Sequence, residues 1–232
     1  MRTIDKHAAR FARLAAVTAV MAFALVAAAP TPVLAADDEK VDPFAGLEKI
    51  EDAKVGVAYV DPKADFSVFK RVAISDPYVA FRADWRRDQN RTRVRPITSS
   101  HAKRIKANVA DLLKEVLTER LEKDDGFEVT KEAGYDVLLV KPAIIDLDIS
   151  PPEAGVAGAS ASFNASIGEA VLYIELFDSV SGDLLGRAAD RQRGDNPHFG
   201  LSTEALMKEH ARKVFEGWAD TLRGFLDEHY KE

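Results

Sequence analysis

The chain has 232 residues, 47% of them hydrophobic and 30% charged, with 13 glycines, 10 prolines and no cysteine. That composition excludes a disordered chain, and the missing cysteine excludes a disulfide scaffold, a thiolate metal site, an iron–sulfur cluster, a cysteine nucleophile and a lipidated cysteine. The formal charge of −6 divides unevenly, because residues 1–35 hold four basic residues and one acid while the remainder holds 28 basic and 37 acidic residues. An acidic chain of this kind is repelled overall by nucleic acid and anionic lipid, so neither is an expected partner.

Residues 1–35 place a basic stretch before the apolar run Leu14 to Ala29, then Pro30, Pro32 and the small-residue ending Val33-Leu34-Ala35. This is the order of a secretory signal peptide, with cleavage expected after Ala35. The run is shorter than the roughly 20 apolar residues a spanning helix needs, and no later run approaches that length, so the mature chain is expected to have no membrane span. Residues 36–54 are acidic and weakly periodic, as a linker or arm would be, and residues 55–232 read as one domain.

Val55 to Val60 is β-like and ends at Asp61-Pro62; Arg71 to Ser75 and Tyr78 to Ala83 are short β-prone runs separated by Asp76-Pro77. Hydroxyl residues at Thr98 to Ser100 open a helix that runs to Gly126, with Ile105, Val109, Leu112, Leu113, Val116, Leu117 and Leu121 on one face and mostly charged residues opposite. Phe127 to Thr130 and Val137 to Ile149 read as strands. Ala143, Ile145, Leu147 and Ile149 alternate there with Ile144, Asp146 and Asp148, and Pro142 predicts either an edge strand or two strands joined at a bulge. Ser150 to Ser166, rich in Pro, Gly, Ala and Ser, is a long excursion. Ala170 to Phe177, a turn at Ser179 to Asp183 and Leu184 to Arg193 make a hairpin. A last helix spans about Ser202 to Tyr230, with Phe215, Trp218, Leu222 and Leu226 on its apolar stripe. The order predicts an α+β fold: a single mixed, mostly antiparallel sheet covered by two amphipathic helices.

The most distinctive cluster is Arg82, Trp85, Arg86, Arg87, Arg91, Arg93 and Arg95, set against only Asp84 and Asp88. Guanidinium forks suit phosphate or carboxylate, and Trp85 offers a ring for stacking, so these seven residues are the expected anion- or partner-binding set. His101, His198, His210 and His229 show no ligand spacing, and no metal site or cofactor is expected. Asp146 and Asp148 fall short of a calcium site, which needs six or more oxygens. Gly158-Ala159-Ser160-Ala161-Ser162 lacks the last glycine of a nucleophile elbow. No convergent catalytic set emerges, so no catalytic residue is assigned.

Val60-Asp61-Pro62, Asp65-Phe66-Ser67, Phe69-Lys70-Arg71-Val72, Ile174 to Ser179, Ser181 to Leu185, Asp190 to Gly194 and Phe215 to Trp218 together resemble a bacterial family of envelope lipoproteins, the domain of unknown function numbered 3313. The resemblance implies a Gram-negative envelope protein with no assigned activity. Members of that family typically carry a lipobox cysteine at the cleavage site. This chain has none, which makes a free periplasmic protein the expected form. The expected function is a non-enzymatic binding or assembly-accessory module whose partner is an envelope protein or an anionic envelope polymer. The alternative is a hydrolase of envelope polymers or glycans using Glu169 or Glu175 with Asp190. A homo-oligomer joined through Trp85 or the Ser150 to Ser166 loop is a third reading.

Overall fold

A computed structural model describes residues 44, 46–151, 167–193 and 204–230. The signal segment, the start of the acidic arm, most of the Ser150 to Ser166 excursion and His198 lie outside the described residues. The strands are β1 Glu48–Lys49, β2 Val57–Val60, β3 Arg71–Ile74, β4 Tyr78–Phe81, β5 Glu128–Thr130, β6 Val137–Ile149, β7 Ile167–Asp178 and β8 Leu184–Arg193. The helices are α1 Trp85–Gln89, α2 Ser99–Glu122 and α3 Glu204–Tyr230. All eight strands form one mixed sheet in the order β1-β2-β8-β7-β6-β3-β5, with β4 also on β6, so the fold is α+β. Its β1, within the acidic segment, pairs with β2 and joins the sheet.

Pairing direction follows the connections. The β7–β8 hairpin and its neighbours β2 and β6 are antiparallel. The strands β3 and β4 lie parallel to β6, and β3 parallel to β5, because α2 returns the chain between them.

Pro142 does not mark an edge. Its strand β6 is continuous and interior, paired along one side with β7 and along the other first with β3 through Val140 and then with β4 from Ala143. The Val140 carbonyl accepts from Ser75 N–H at 3.0 Å on the β3 side. Two residues on, the Pro142 nitrogen faces the same side, where Ser75 to Pro77 leaves the sheet between β3 and β4. The missing donor therefore coincides with a gap in the ladder.

The alternation read across residues 143–149 is also corrected. Asp146 has φ +53, and both ladders slip one residue there, Ile144 facing Val79 but Leu147 facing Phe81. The bulge reverses the phase: Ile144, Leu147 and Ile149 are buried and Ile145 is exposed, and Asp146 and Asp148, on either side of the buried Leu147, are exposed and half-buried. Aspartate tolerates the left-handed conformation better than a branched residue would.

One sheet face, carrying Leu138, Val140, Ile144, Leu172, Ile174 and Leu176, shares a single core with Leu113, Val116, Leu117 and Leu121 of α2 and Phe215, Trp218, Leu222 and Leu226 of α3. Thr98 caps α2 by accepting from His101 N–H at 3.1 Å. The far end of α2 is closed by α3: Arg223 Nη1 donates to the carbonyls of Leu121 and Lys123 at 3.0 and 2.9 Å. Gly126 makes room for that guanidinium, since a Cβ there would lie 2.1 Å from Arg223 Nη1 and 2.2 Å from Leu121 O. Among the described residues, no helix is long and apolar enough to cross a membrane.

Gly126→Ala is expected to lower stability by about 1–3 kcal/mol, as overpacking does. Urea denaturation checks this, and the penalty should shrink but not vanish in an Arg223→Ala background, where the guanidinium is gone but Leu121 O still stands in the way.

Candidate anion-binding surface

The end of β4 turns into α1 at a pinned junction. Arg82 N–H donates to Leu147 O at 3.2 Å, Asp84 adopts φ 60, and Trp85 then enters the core with 1% of its surface exposed. Its ring stacks on Phe81 at 3.7 Å and 4°, and its Nε1–H donates to Ile149 O at 2.8 Å. Trp85 is thus the anchor that holds α1 on the end of β6, and its ring is not presented to a ligand. The loop that follows is closed at its neck by Asn90, which accepts from Ile97 N–H at 2.7 Å and donates to Ile97 O at 3.2 Å. Arg91, Arg93 and Arg95 lie on that closed loop.

The arginines fall into two groups. Arg82 bridges Asp88 and Asp148, at 2.8 Å each; the hydrogen bond to Asp88 and then that to Asp148 raise its pKa, and the Arg82 hydrogen bond draws Asp88 below its ordinary value. Arg93 donates to Pro151 O and, at 3.5 Å, to Gln89 Oε1. These two secure the junction. Arg87, 3.0 Å from Asp84, and Arg91, 3.9 Å from Asp88, remain 61% and 70% exposed. Arg86 and Arg95 are exposed as well. Asp88 is shared by Arg82, Arg87 and Arg91, with Asp148 also on Arg82 and Asp84 also on Arg87; the excess of positive charge lies in the sequence, where residues 82–95 hold six arginines and two aspartates.

Arg86 also donates to the Ser99 hydroxyl in the first turn of α2, which joins the strip to Lys103 and Arg104, both exposed, and to Lys106, whose Nζ sits 5.5 Å from the Phe81 ring centroid. Residues 82–106 carry nine basic and two acidic residues, with no acid between Asp88 and Asp111. The first turn of α2 has no acidic residue, contrary to the usual preference for acids at a helix's positive end. From sequence, Lys103, Arg104 and Lys106 belong to the mostly water-facing side of the helix and the strip stops at Arg95. The acid-free run to Ala110 was the signal that would have extended it.

The alternative catalytic set does not converge. Glu175 is held by Arg187 at 2.8 Å and by Tyr173 Oη at 3.3 Å, and Glu169 by Arg191 and Arg193. Both glutamates lie on the helix-free face of the sheet, by register opposite to Leu172 and Asp190. Asp190 instead joins three elements beneath α3, accepting from Gly56 N–H at 3.0 Å, Gln192 Nε2 at 2.7 Å and Trp218 Nε1 at 2.7 Å. Burial pushes its pKa up, but the bonds from Gln192, Trp218 and Gly56 outweigh that and leave it below the ordinary value. His101 lies in the first turn of α2, His210 is exposed, and His229 contacts Phe225 O.

A depressed folded-state pKa makes the Asp190 contribution complete above the ordinary carboxylate range and lost as pH falls through the lower folded value. Acid unfolding is therefore expected below about pH 4. In Asp190→Asn that acid limb should be shallower and the stability at neutral pH lower, which circular dichroism across pH 2 to 7 would measure.

The family model described as Protein of unknown function (DUF3313) matches residues 36–222. No curated protein matches the chain. The PelC dodecamer from Paraburkholderia phytofirmans has a TM-score of 0.37 at 9% identity, over 69% of this chain and 91% of that one. A Xanthomonas campestris protein of family DUF330 has a TM-score of 0.34 at 14% identity, over 68% and 87%. A homologue of the neuraminyllactose-binding hemagglutinin from Helicobacter pylori has a TM-score of 0.32 at 17% identity, over 69% and 90%.

Proposed function

The chain belongs to the DUF3313 family, whose function is unknown, and we propose that this member is an exported, non-enzymatic envelope module that takes an anionic partner on the basic surface of α1 and the start of α2. One observation supports this most: Arg86 and Arg87, on a helix fixed by the buried Trp85, and Arg91, on the loop that follows it, are all exposed, while Asp88 is shared among Arg82, Arg87 and Arg91. Holding the backbone in place reduces what the arginines lose in freedom on binding, and their planar forks match the oxygens of carboxylate and phosphate. The export signal at residues 1–35 supports a periplasmic location, where such groups belong to envelope proteins and envelope polymers. Neither a cofactor nor a catalytic residue enters this reading.

Crosslinking of the purified protein in envelope extracts is expected to capture a partner, and Arg86→Glu/Arg87→Glu/Arg91→Glu is expected to lose it. Capture should also weaken with salt, because the contributing charges are exposed. Undiminished capture by the triple variant at an unchanged melting temperature would remove the basic surface from the proposal.

A further inference from the structure

The basic surface sits at one end of the strand axis and an acidic surface at the other. Trp85 binds the last residue of β6, while Arg71 holds Asp136, just before its first residue, through bonds of 2.7 and 3.0 Å. The helix α2 runs back along the same path, from Thr98 beside α1 to Lys123 near the start of β5. At about 3.3 Å per residue the 13 residues of β6 separate the two ends by about 40 Å, and the 24 residues of α2 give about 36 Å.

Beyond the C-terminus of α2, the exposed charges change sign. Glu122, Asp124, Asp125, Glu128, Glu132 and Asp183 are all exposed there, with Lys70, Lys123 and Lys131 in opposition. The same end displays Tyr135 at 86% exposure and Val180 at 65%. Ser179 Oγ brings their two loops together, accepting from Gly134 N–H at 3.1 Å and donating to Gly134 O at 3.0 Å. At the basic end Val94 is 87% exposed among the arginines. A tyrosine ring within an acidic rim fits an arginine surface twice over, by charge and by guanidinium–ring contact, and tyrosine and arginine are the residue types enriched at interface cores.

We infer that the acidic partner of the basic surface is a second copy of this chain, which docks its Tyr135 and Val180 end onto the Arg86, Arg87 and Arg91 end, head to tail. The inference rests on the proposed reading of the basic surface as a docking site and names its occupant. Both halves of the contact are present on every copy at opposite ends, so the association is heterologous and leaves one free surface of each kind at the ends of an open assembly.

Sedimentation of the purified chain reads this directly. At about 0.01 M salt, where exposed charges act over about 30 Å, the mean mass is expected at least to double as concentration rises; at about 1 M salt, where the range is about 3 Å, it should return to that of a monomer. Two reversed variants sharpen the test: Glu122→Lys/Glu128→Lys/Glu132→Lys at the acidic end and Arg86→Glu/Arg87→Glu/Arg91→Glu at the basic end. Each alone should stay monomeric at low salt, and an equal mixture should assemble, because each then offers the surface the other lacks. Restored assembly also excludes misfolding as the cause of either loss. A chain that is monomeric at low salt, variants that assemble alone, or a mixture that does not assemble would each overturn the inference. Envelope capture separates the two readings. A monomeric chain that captures an envelope partner through its arginines defeats the second copy and leaves the proposed function standing; assembly without envelope capture does the reverse.

Discussion

Hydrogen bonding on both sides of β6 is the constraint on which the other elements depend. A strand paired on both sides along most of its length has no freedom to slide, and each neighbour takes its register from it. The departure of the chain between β3 and β4 falls where Pro142 has no N–H to give, so neither side leaves a donor unmet. The bulge at Asp146 then turns the strand by one residue, which puts Leu147 and Ile149 into the core and aims Asp148 at Arg82. A strand without the extra residue would send Leu147 to solvent and take away the carboxylate that steadies the start of α1.

Polar bonds at the edge of the core complete what burial begins. With no cysteine to close loops, the elements are tied by side chains that reach across long stretches of sequence. Asp190 links β2, β8 and α3, and Arg223 of α3 satisfies the last carbonyls of α2. Trp85 links α1 to β6. Each of these bonds is made at a place where backbone donors or acceptors would otherwise end without partners, so each both fixes an angle between elements and removes an unmet group. The apolar contacts alone would hold the helices on the sheet without specifying their rotation.

Local patterns in the sequence were sufficient for the elements and insufficient for their relations. The Thr98 cap, the apolar stripe from Leu112 to Leu121, the β7–β8 hairpin and the burial of Phe215 and Trp218 all depend on neighbours within a few residues, and all were readable. Of the two alternatives at Pro142 the edge strand fails and the bulge lies four residues on, at Asp146, because what Pro142 marks lies on the far side of the ladder, with Ser75 to Pro77, more than sixty residues away. The alternation at residues 143–149 was misread because a bulge adds a residue without changing the types of residue present. Trp85, flanked by charge, looked like a surface ring, and only the positive φ of Asp84 turns it inward beside Phe81. The strip was legible as charge, but its continuation into α2 depends on the contact between Arg86 and Ser99.

The placement of charge around α2 runs against what stability alone would favour. Helices gain from acids near their first turn and bases near their last, yet α2 has no acid in its first turn and carries Lys103, Arg104 and Lys106 in its second, and exposed Glu122, Asp124 and Asp125 stand at and beyond its end. The N-terminal end thus adds to the helix's own field, while at the C-terminal end Arg120 in the last turn and Arg223 on the final carbonyls offset it. Ion pairs absorb part of this, Arg212 of α3 meeting Glu115 and Glu119 in the middle of α2, but the two ends keep their excess. A fold that carries such a bias in exposed residues, and that fixes the basic end with a fully buried tryptophan, holds the two fields rigidly apart along one axis. Rigid separation is what lets opposite charges act on a partner when the same charges could have neutralised one another within the chain.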